Sequence, residues 1–268
     1  MIKLKKGEIL VLRTCRMDML AYGGFKWPKK GRVSSPDWLD NDKCGHGLHG
    51  LPWGVGSSVL FFGDKDKDTV WLLVKVNTAK GNYQHGTGEM TDKCKFKEGE
   101  VVYSGDRTAV VALLMKHAPA GLAVNYAVQA GGGDSTQTAG NHSTQKAGWD
   151  STQTAGDEST QKAGEFSTQT AGGKSTQAAG WKSTQTAGDV STQTAGEFST
   201  QTAGNQSTQK AGLGTAQIIR WYEDVWRVKA RIITEAEADK WYKFEGGDWR
   251  LCTAAEVFEL DKKREKPA

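Results

Sequence analysis

The sequence predicts a mostly β fold: a central β-solenoid of five 16-residue coils, flanked by an N-terminal α+β domain and a small β-rich C-terminal cap. The boundaries fall at 1–126, 127–214 and 215–268. Three observations predict it. The motif Ser-Thr-Gln-Thr-Ala-Gly-x-x recurs every eight residues, in ten copies from Ser135 to Ser207, with no insertion or deletion. The copies alternate between two classes. Within each copy, residue types alternate with the two-residue period of a strand.

Repeats are read first because they decide the architecture. Glycine is 33 of 268 residues, and apolar residues are only 37%. Polar, glycine-rich sequence of this kind is usually disordered, but a flexible linker needs neither a strict period nor a constant length. Eight residues make a closed path of roughly 26 Å, too tight to enclose side chains, so two octads per coil are expected. The substitutions agree. Odd copies keep both threonines: Thr136/Thr138, Thr152/Thr154, Thr168/Thr170, Thr184/Thr186 and Thr200/Thr202. Four of the five even copies have lost the second one, to Lys146, Lys162, Ala178 and Lys210. The x-x pair after every even copy carries a large apolar residue, Trp149, Phe166, Trp181, Phe198 or Leu213. After odd copies it is mostly polar, as in Asn141-His142 and Asp157-Glu158.

Alternation assigns directions. The two Thr of Thr-Gln-Thr share one face, and Ser, Gln and Ala share the other. Outward Thr leaves a thin core of small and amide side chains. A lone buried Gln is costly, but Gln stacked in register bonds along the ladder. The Gly after each Ala is expected to make the turn at positive φ. The odd face then presents stiff, β-branched Thr hydroxyls and methyls at ~6.6 Å along a strand and ~4.8 Å between coils. Such an array can hold water in a regular pattern.

The repeat Ser-Thr-Gln-Thr-Ala-Gly resembles the tandem repeat of bacterial ice nucleation proteins, over residues 135–214. The resemblance implies a 16-residue coil whose Thr-x-Thr rows organise water and bind ice, with the ten odd-face threonines in that role and ordered water or ice as partner. It also implies an edge ladder for dimerisation, here Trp149, Phe166, Trp181 and Phe198 in place of tyrosine. A second reading is a structural or oligomerising stalk of a phage or bacterial protein, since Thr also stabilises sheets where no ice is involved. Stacked Lys146 and Lys162 would discourage ice contact on the even face.

The flanks point to less. Strands are expected at Ile9–Leu12, Val59–Phe62, Val70–Val76 and Val101–Tyr103, and a helix at Thr108–His117 after the turn Ser104-Gly105-Asp106. Gly23-Gly24 and Leu51-Pro52-Trp53-Gly54 read as loops. The motif Cys44-Gly45-His46-Gly47-Leu48-His49-Gly50 resembles the Cys-x-x-Gly-(Leu/Phe)-His signature of an uncharacterised phage and bacterial domain, along with Leu12-Arg13-Thr14-Cys15 and Gly105-Asp106-Arg107. That resemblance implies no activity. Two functional readings of the motif stay open beside a purely structural turn. In one, Cys44, His46 and His49 bind zinc with Cys15 or Cys94. In the other, His49 works with Arg13 and Asp106 as acid/base or anion-binding groups. Neither has the spacing of a known site, so no catalytic residue, metal or cofactor is assigned and the chain is read as non-enzymatic. The four scattered cysteines read as free thiols, with a Cys15–Cys44 or Cys44–Cys94 disulfide as the alternative.

The cap is read as a hairpin of Ile218–Tyr222 and Trp226–Ile233 about Glu223-Asp224, then strands at Trp241–Lys243 and Trp249–Leu251, with Thr215–Arg220 breaking the repeat. Residues 261–268 read as a solvated tail. A net charge of +4 gives no argument for nucleic acid. With no apolar run of membrane-spanning length and no signal-like start, a cytoplasmic or virion-associated location is expected.

Overall fold

The computed structural model describes residues 2–57 and 69–265. It divides into two compact units, Met1–Tyr126 and Ala127–Ala268. The expected strand at Val59–Phe62 lies outside the described residues.

The first unit holds β1 (Glu8–Arg16), β2 (Gly31–Ser34), β3 (Leu48–Pro52), β4 (Thr69–Asn77), β5 (Tyr83–Gln84), β6 (Cys94–Phe96), β7 (Glu98–Gly105) and α1 (Arg107–Met115). The strands form one sheet in the order β2-β7-β4-β1-β3-β6-β5. The long pair β1 and β4 runs antiparallel from Glu8↔Asn77 to Arg16↔Thr69. Their near-continuous apolar runs are buried, with Leu10, Val11, Leu12, Leu72, Leu73 and Val74 fully covered. Helix α1 begins where expected, because the Asp106 carboxylate accepts from the Ala109 N–H at 2.9 Å and caps the first turn. Leu51 and Pro52, read as loop, end β3 instead, opposite Leu12 and Val11. A proline is tolerated at such a strand end.

The second unit is the solenoid. Its even strands are β8 (Val128–Ala130), β10 (Thr144–Lys146), β12 (Thr160–Lys162), β14 (Thr176–Ala178), β16 (Thr192–Ala195) and β18 (Thr208–Ala211). Its odd strands are β9 (Thr136–Thr138), β11 (Thr152–Thr154), β13 (Thr168–Thr170), β15 (Thr184–Thr186), β17 (Thr200–Ala203) and β19 (Ala216–Glu223). Each set pairs parallel and in register, so Thr152 meets Thr136 on one side and Thr168 on the other. The 16-residue period is as expected, but there are about six turns rather than five. Two degenerate octads account for the difference. Ala127-Val128-Gln129 pairs with the copy at Ser143, and Thr215-Ala216-Gln217 continues the copy at Ser199. Thr215 therefore extends the repeat where a break was expected.

The turns correct a second expectation. The repeat glycines that follow Ala do not take positive φ. That conformation falls on the second x residue of every octad, from Asp134 (φ 55) through Phe166 (φ 57) and Val190 (φ 59) to Gln206 (φ 57). The glycines are needed for another reason. A Cβ on Gly164 would lie 2.8 Å from the Trp149 backbone nitrogen, and one on Gly148 would lie 2.6 Å from that of Gly133. Successive coils stack backbone on backbone there, with the Gly164 N–H donating to the Gly148 carbonyl at 3.0 Å. Val190 is β-branched in the left-handed region, a placement that costs roughly 1–2 kcal/mol. Val190→Asn, which tolerates that region, is therefore expected to raise the urea midpoint by an amount worth about 1 kcal/mol.

The odd sheet ends in the hairpin of β19 and β20 (Val225–Ile232), which turns at Asp224 (φ 56) as expected. The even sheet is continued antiparallel by β21 (Trp241–Glu245) and β22 (Asp248–Leu251). The tail expected at 261–268 is helical in part: α2 spans Ala254–Glu265. Its start carries a capping box. The Thr253 N–H donates to the Glu256 carboxylate at 2.8 Å, and the Glu256 N–H donates to Thr253 Oγ1 at 3.3 Å.

Candidate water-organising face

Each Thr-Gln-Thr strand divides its side chains as the alternation requires. From Gln145 to Gln217 every ladder glutamine is buried, at 1% exposure or less, and each Ser from Ser143 to Ser207 is at 3% or less. The threonines point out. Thr152, Thr154, Thr168, Thr170, Thr184 and Thr186 are exposed, as is Thr136, whereas Thr138, Thr200 and Thr202 are half-buried. The structure thus brings all ten odd-face threonines into one two-column array, in register from β9 to β17.

What holds the array in register is the core beneath it. Gln153 Nε2 donates to Gln137 Oε1 at 2.9 Å, Gln169 to Gln153 at 2.8 Å, and Gln185 to Gln169 at 2.9 Å. The same amide nitrogens reach across the coil, as Gln169 does to the Ala178 carbonyl at 3.1 Å. Each amide therefore ties one coil to the next and one sheet to the other. The serines form a parallel ladder: the Ser151 N–H donates to Ser167 Oγ at 3.3 Å, and Ser167 Oγ donates to the Glu165 carbonyl at 3.2 Å. Desolvated amides and hydroxyls thus keep their partners, which removes the main cost of a polar core.

The ladder ends differ. Arg231 closes the odd one, donating through Nε and Nη2 to Gln217 Oε1 at 2.9 and 2.6 Å. It is itself sandwiched by the rings of Tyr242 and Trp249. The even ladder has no such closure, and Gln209 Oε1 is buried without a partner. Gln129 and Gln217 extend the ladder at residues outside the expected repeat of 135–214, although each stands eight residues from a repeat Gln; nothing local marked Arg231.

On the even face Lys146 and Lys162 are adjacent and exposed, as expected. Along the apolar edge Trp149, Phe166 and Phe198 are 58%, 48% and 55% exposed. Phe166 and Trp181 meet edge to face at 5.2 Å. The opposite edge is polar and carries an Asx ladder, in which Asn141 Oδ1 accepts from the Asp157 N–H and Asp157 Oδ1 from the Gly173 N–H.

The four cysteines are free thiols, Cys15, Cys44 and Cys94 in the first unit and Cys252 in the second. Among the described residues no group of three His, Cys, Asp or Glu could hold a metal. The glycines of Cys44–Gly50 have structural reasons. A Cβ on Gly47 would strike the Lys95 side chain at 2.6 Å, and one on Gly50 would strike Val11 at 2.4 Å. His46 is exposed and faces Asp37 at 3.4 Å. Asp106 caps α1, while Arg13 and His49 are neighbours, Arg13 Nη1 donating to the His49 carbonyl at 3.3 Å.

The repeat region is similar to bacterial ice nucleation proteins. Ice nucleation protein InaU of Pantoea ananas is 32% identical over 116 residues, 42% of this chain and 10% of the relative. An ice nucleation protein of Pseudomonas syringae is 35% identical over 100 residues, 37% of this chain and 8% of the relative. One from Xanthomonas campestris pv. translucens is 52% identical over 112 residues, 42% of this chain and 7% of the relative. The chain therefore spans a tenth or less of the length of these relatives. No family model matches it, and no solved structure does. The likeness corrects the expected cytoplasmic or virion-associated location: ice nucleation proteins are outer-membrane, surface-displayed proteins, which does not fit it. No helix among the described residues is long and apolar enough to cross a membrane.

Proposed function

We propose that the odd face of the solenoid, Thr136 to Thr202, organises water and binds ice. The observation that carries this reading is the unbroken two-column array of outward threonines, held in register by buried amides. Each Thr side chain is stiff at χ1, so little order is lost when water settles between hydroxyls and methyls at ~4.8 by ~6.6 Å. The repeat's likeness to ice nucleation proteins supports the same reading.

The array is small. Its five rows span about 19 Å along the axis, which suits binding to existing ice better than forming an ice embryo alone. Purified protein is expected to inhibit ice recrystallisation at micromolar concentration while shifting droplet-freezing temperature little. Crystals that coarsen as fast as in buffer would remove the proposal.

The aromatic edge supplies a route to a larger surface. Exposed Trp149, Phe166 and Phe198, with half-buried Trp181 against Phe166, form an apolar line along one side of the coil, of the kind that drives lateral pairing. Pairing there would set two Thr arrays side by side. The double variant Trp149→Ser, Trp181→Ser is expected to lower the mass seen by sedimentation to that of one chain. An unchanged mass would place any self-association elsewhere.

A further inference from the structure

The odd sheet does not stop at its last Thr row. β17 pairs with β19, which sets Ala216 beside Thr200 and Ile218 beside Thr202. β19 then pairs antiparallel with β20, which sets Ile232 beside Ala216 and Ala230 beside Ile218. Directly paired residues share one face of a sheet. The two Thr columns therefore run on for two more rows. One continues through Ala216 and Ile232, the other through Ile218 and Ala230. In each column a large aliphatic residue stands beside a small one. Ala230 and Ile232 are exposed, and Ala216 and Ile218 are half-buried.

Charge is sorted on the same hairpin. The three cations of β20, Arg227, Lys229 and Arg231, alternate with Val228, Ala230 and Ile232 and so take the other side of the strand. There they meet Glu223 at 3.1 Å, Asp248 at 2.9 Å and the ladder amide of Gln217. Inward-pointing charges of this kind are how an edge strand is kept from pairing with another chain. None of the four positions that continue the Thr columns carries a charge. The even sheet is continued differently, because β21 sets Lys243 beside Thr208. A soluble cap gains nothing from leaving Ile232 62% exposed in line with a Thr column, and exposed apolar surface in such a place points to a contact. Methyl groups make no hydrogen bonds, so the water over them is restricted to bonding within its own layer.

We propose that Ala216, Ile218, Ala230 and Ile232 belong to the ice-contacting plane and extend it from five rows to seven. The inference rests on the reading of the Thr face given above. At ~4.8 Å between strands, seven rows span about 29 Å. The two added rows offer methyl groups in register with those of the Thr side chains, without the hydroxyls. The cap thus closes the solenoid and lengthens its working face at once.

The test compares full-chain variants by the lowest concentration that stops ice recrystallisation. The double variant Ala230→Lys, Ile232→Lys is expected to raise it at least about fivefold, with the circular dichroism of wild type. Both side chains are exposed on the return strand, so the core stays intact. Ala230→Thr with Ile232→Thr completes the seventh row as Thr, and is expected to match wild type or to act at a lower concentration. Val225→Lys puts a charge on the other side of the same strand and is expected to change nothing. Sedimentation of the lysine variant is expected to give the mass of wild type. A lower mass would make the hairpin a pairing surface and overturn the inference. Undiminished inhibition by the lysine variant, an equal loss in Val225→Lys, or a loss in the Thr variant overturns it too and leaves the Thr face standing. Inactive wild type removes the Thr-face reading and the inference together.

Discussion

The triple variant Thr152→Lys, Thr168→Lys, Thr184→Lys is expected to lose recrystallisation inhibition altogether while keeping the wild-type circular dichroism and thermal midpoint. All three side chains sit in the middle of the odd array and point outward, exposed, so none is part of the buried core. They occupy one column on three successive coils, Thr152↔Thr168↔Thr184. Three stacked ammonium groups at ~4.8 Å repel one another and are strongly hydrated, which breaks the regular water pattern. The even face already bears this substitution at Lys146 and Lys162 and still pairs in register, so the fold tolerates it. Wild-type inhibition by the triple variant would move the ice-binding surface off this face.

The second large effect is on stability. Gln169→Leu is expected to destabilise the solenoid by about 2–6 kcal/mol, since each orphaned buried group costs about 1–3 kcal/mol. Two groups are orphaned: the Gln185 N–H that donates to Gln169, whose Nε2 keeps only its bond to the Thr194 carbonyl, and Gln153 Oε1, which accepts from Gln169. The Ala178 carbonyl loses its cross-coil donor as well. Because each coil touches mainly its neighbours, a break in the middle should also split one cooperative urea transition into two. Thr170→Val, one residue away but outward, is the control and should move the midpoint little. Equal midpoints for the two variants would show that the amide ladder contributes nothing measurable.

Much of the solenoid was legible because the copies are near-identical. The second-Thr substitutions at 146, 162, 178 and 210 separate the two sheets, and period two separates inside from outside. The ends were less legible. Thr215-Ala216-Gln217 keeps only its Gln in place, so the eleventh octad reads as a break until its pairing with β17 is seen. Helix α2 was missed although Thr253 and Glu256 have capping-box spacing, because the charged run after it resembles a tail. The Cys44–Gly50 motif suggested metal chemistry, but Gly47 and Gly50 are glycines because Lys95 and β1 pass within reach of their Cα atoms.

Residue order alone settled the period, the direction of each side chain and the identity of the Thr array, since stacking identical copies in register leaves no other consistent placement for two Thr and one Gln per strand. The tertiary structure decided what depends on atoms far along the chain. It moved the positive φ from glycine to the second turn residue, because the glycine is consumed by contact with a backbone 16 residues earlier. It closed the odd Gln ladder with Arg231, which arrives from the returning strand of a hairpin. It also set Arg13 against the His49 carbonyl, 36 residues away in sequence. No local pattern records such meetings, since they arise only when separate strands are laid side by side.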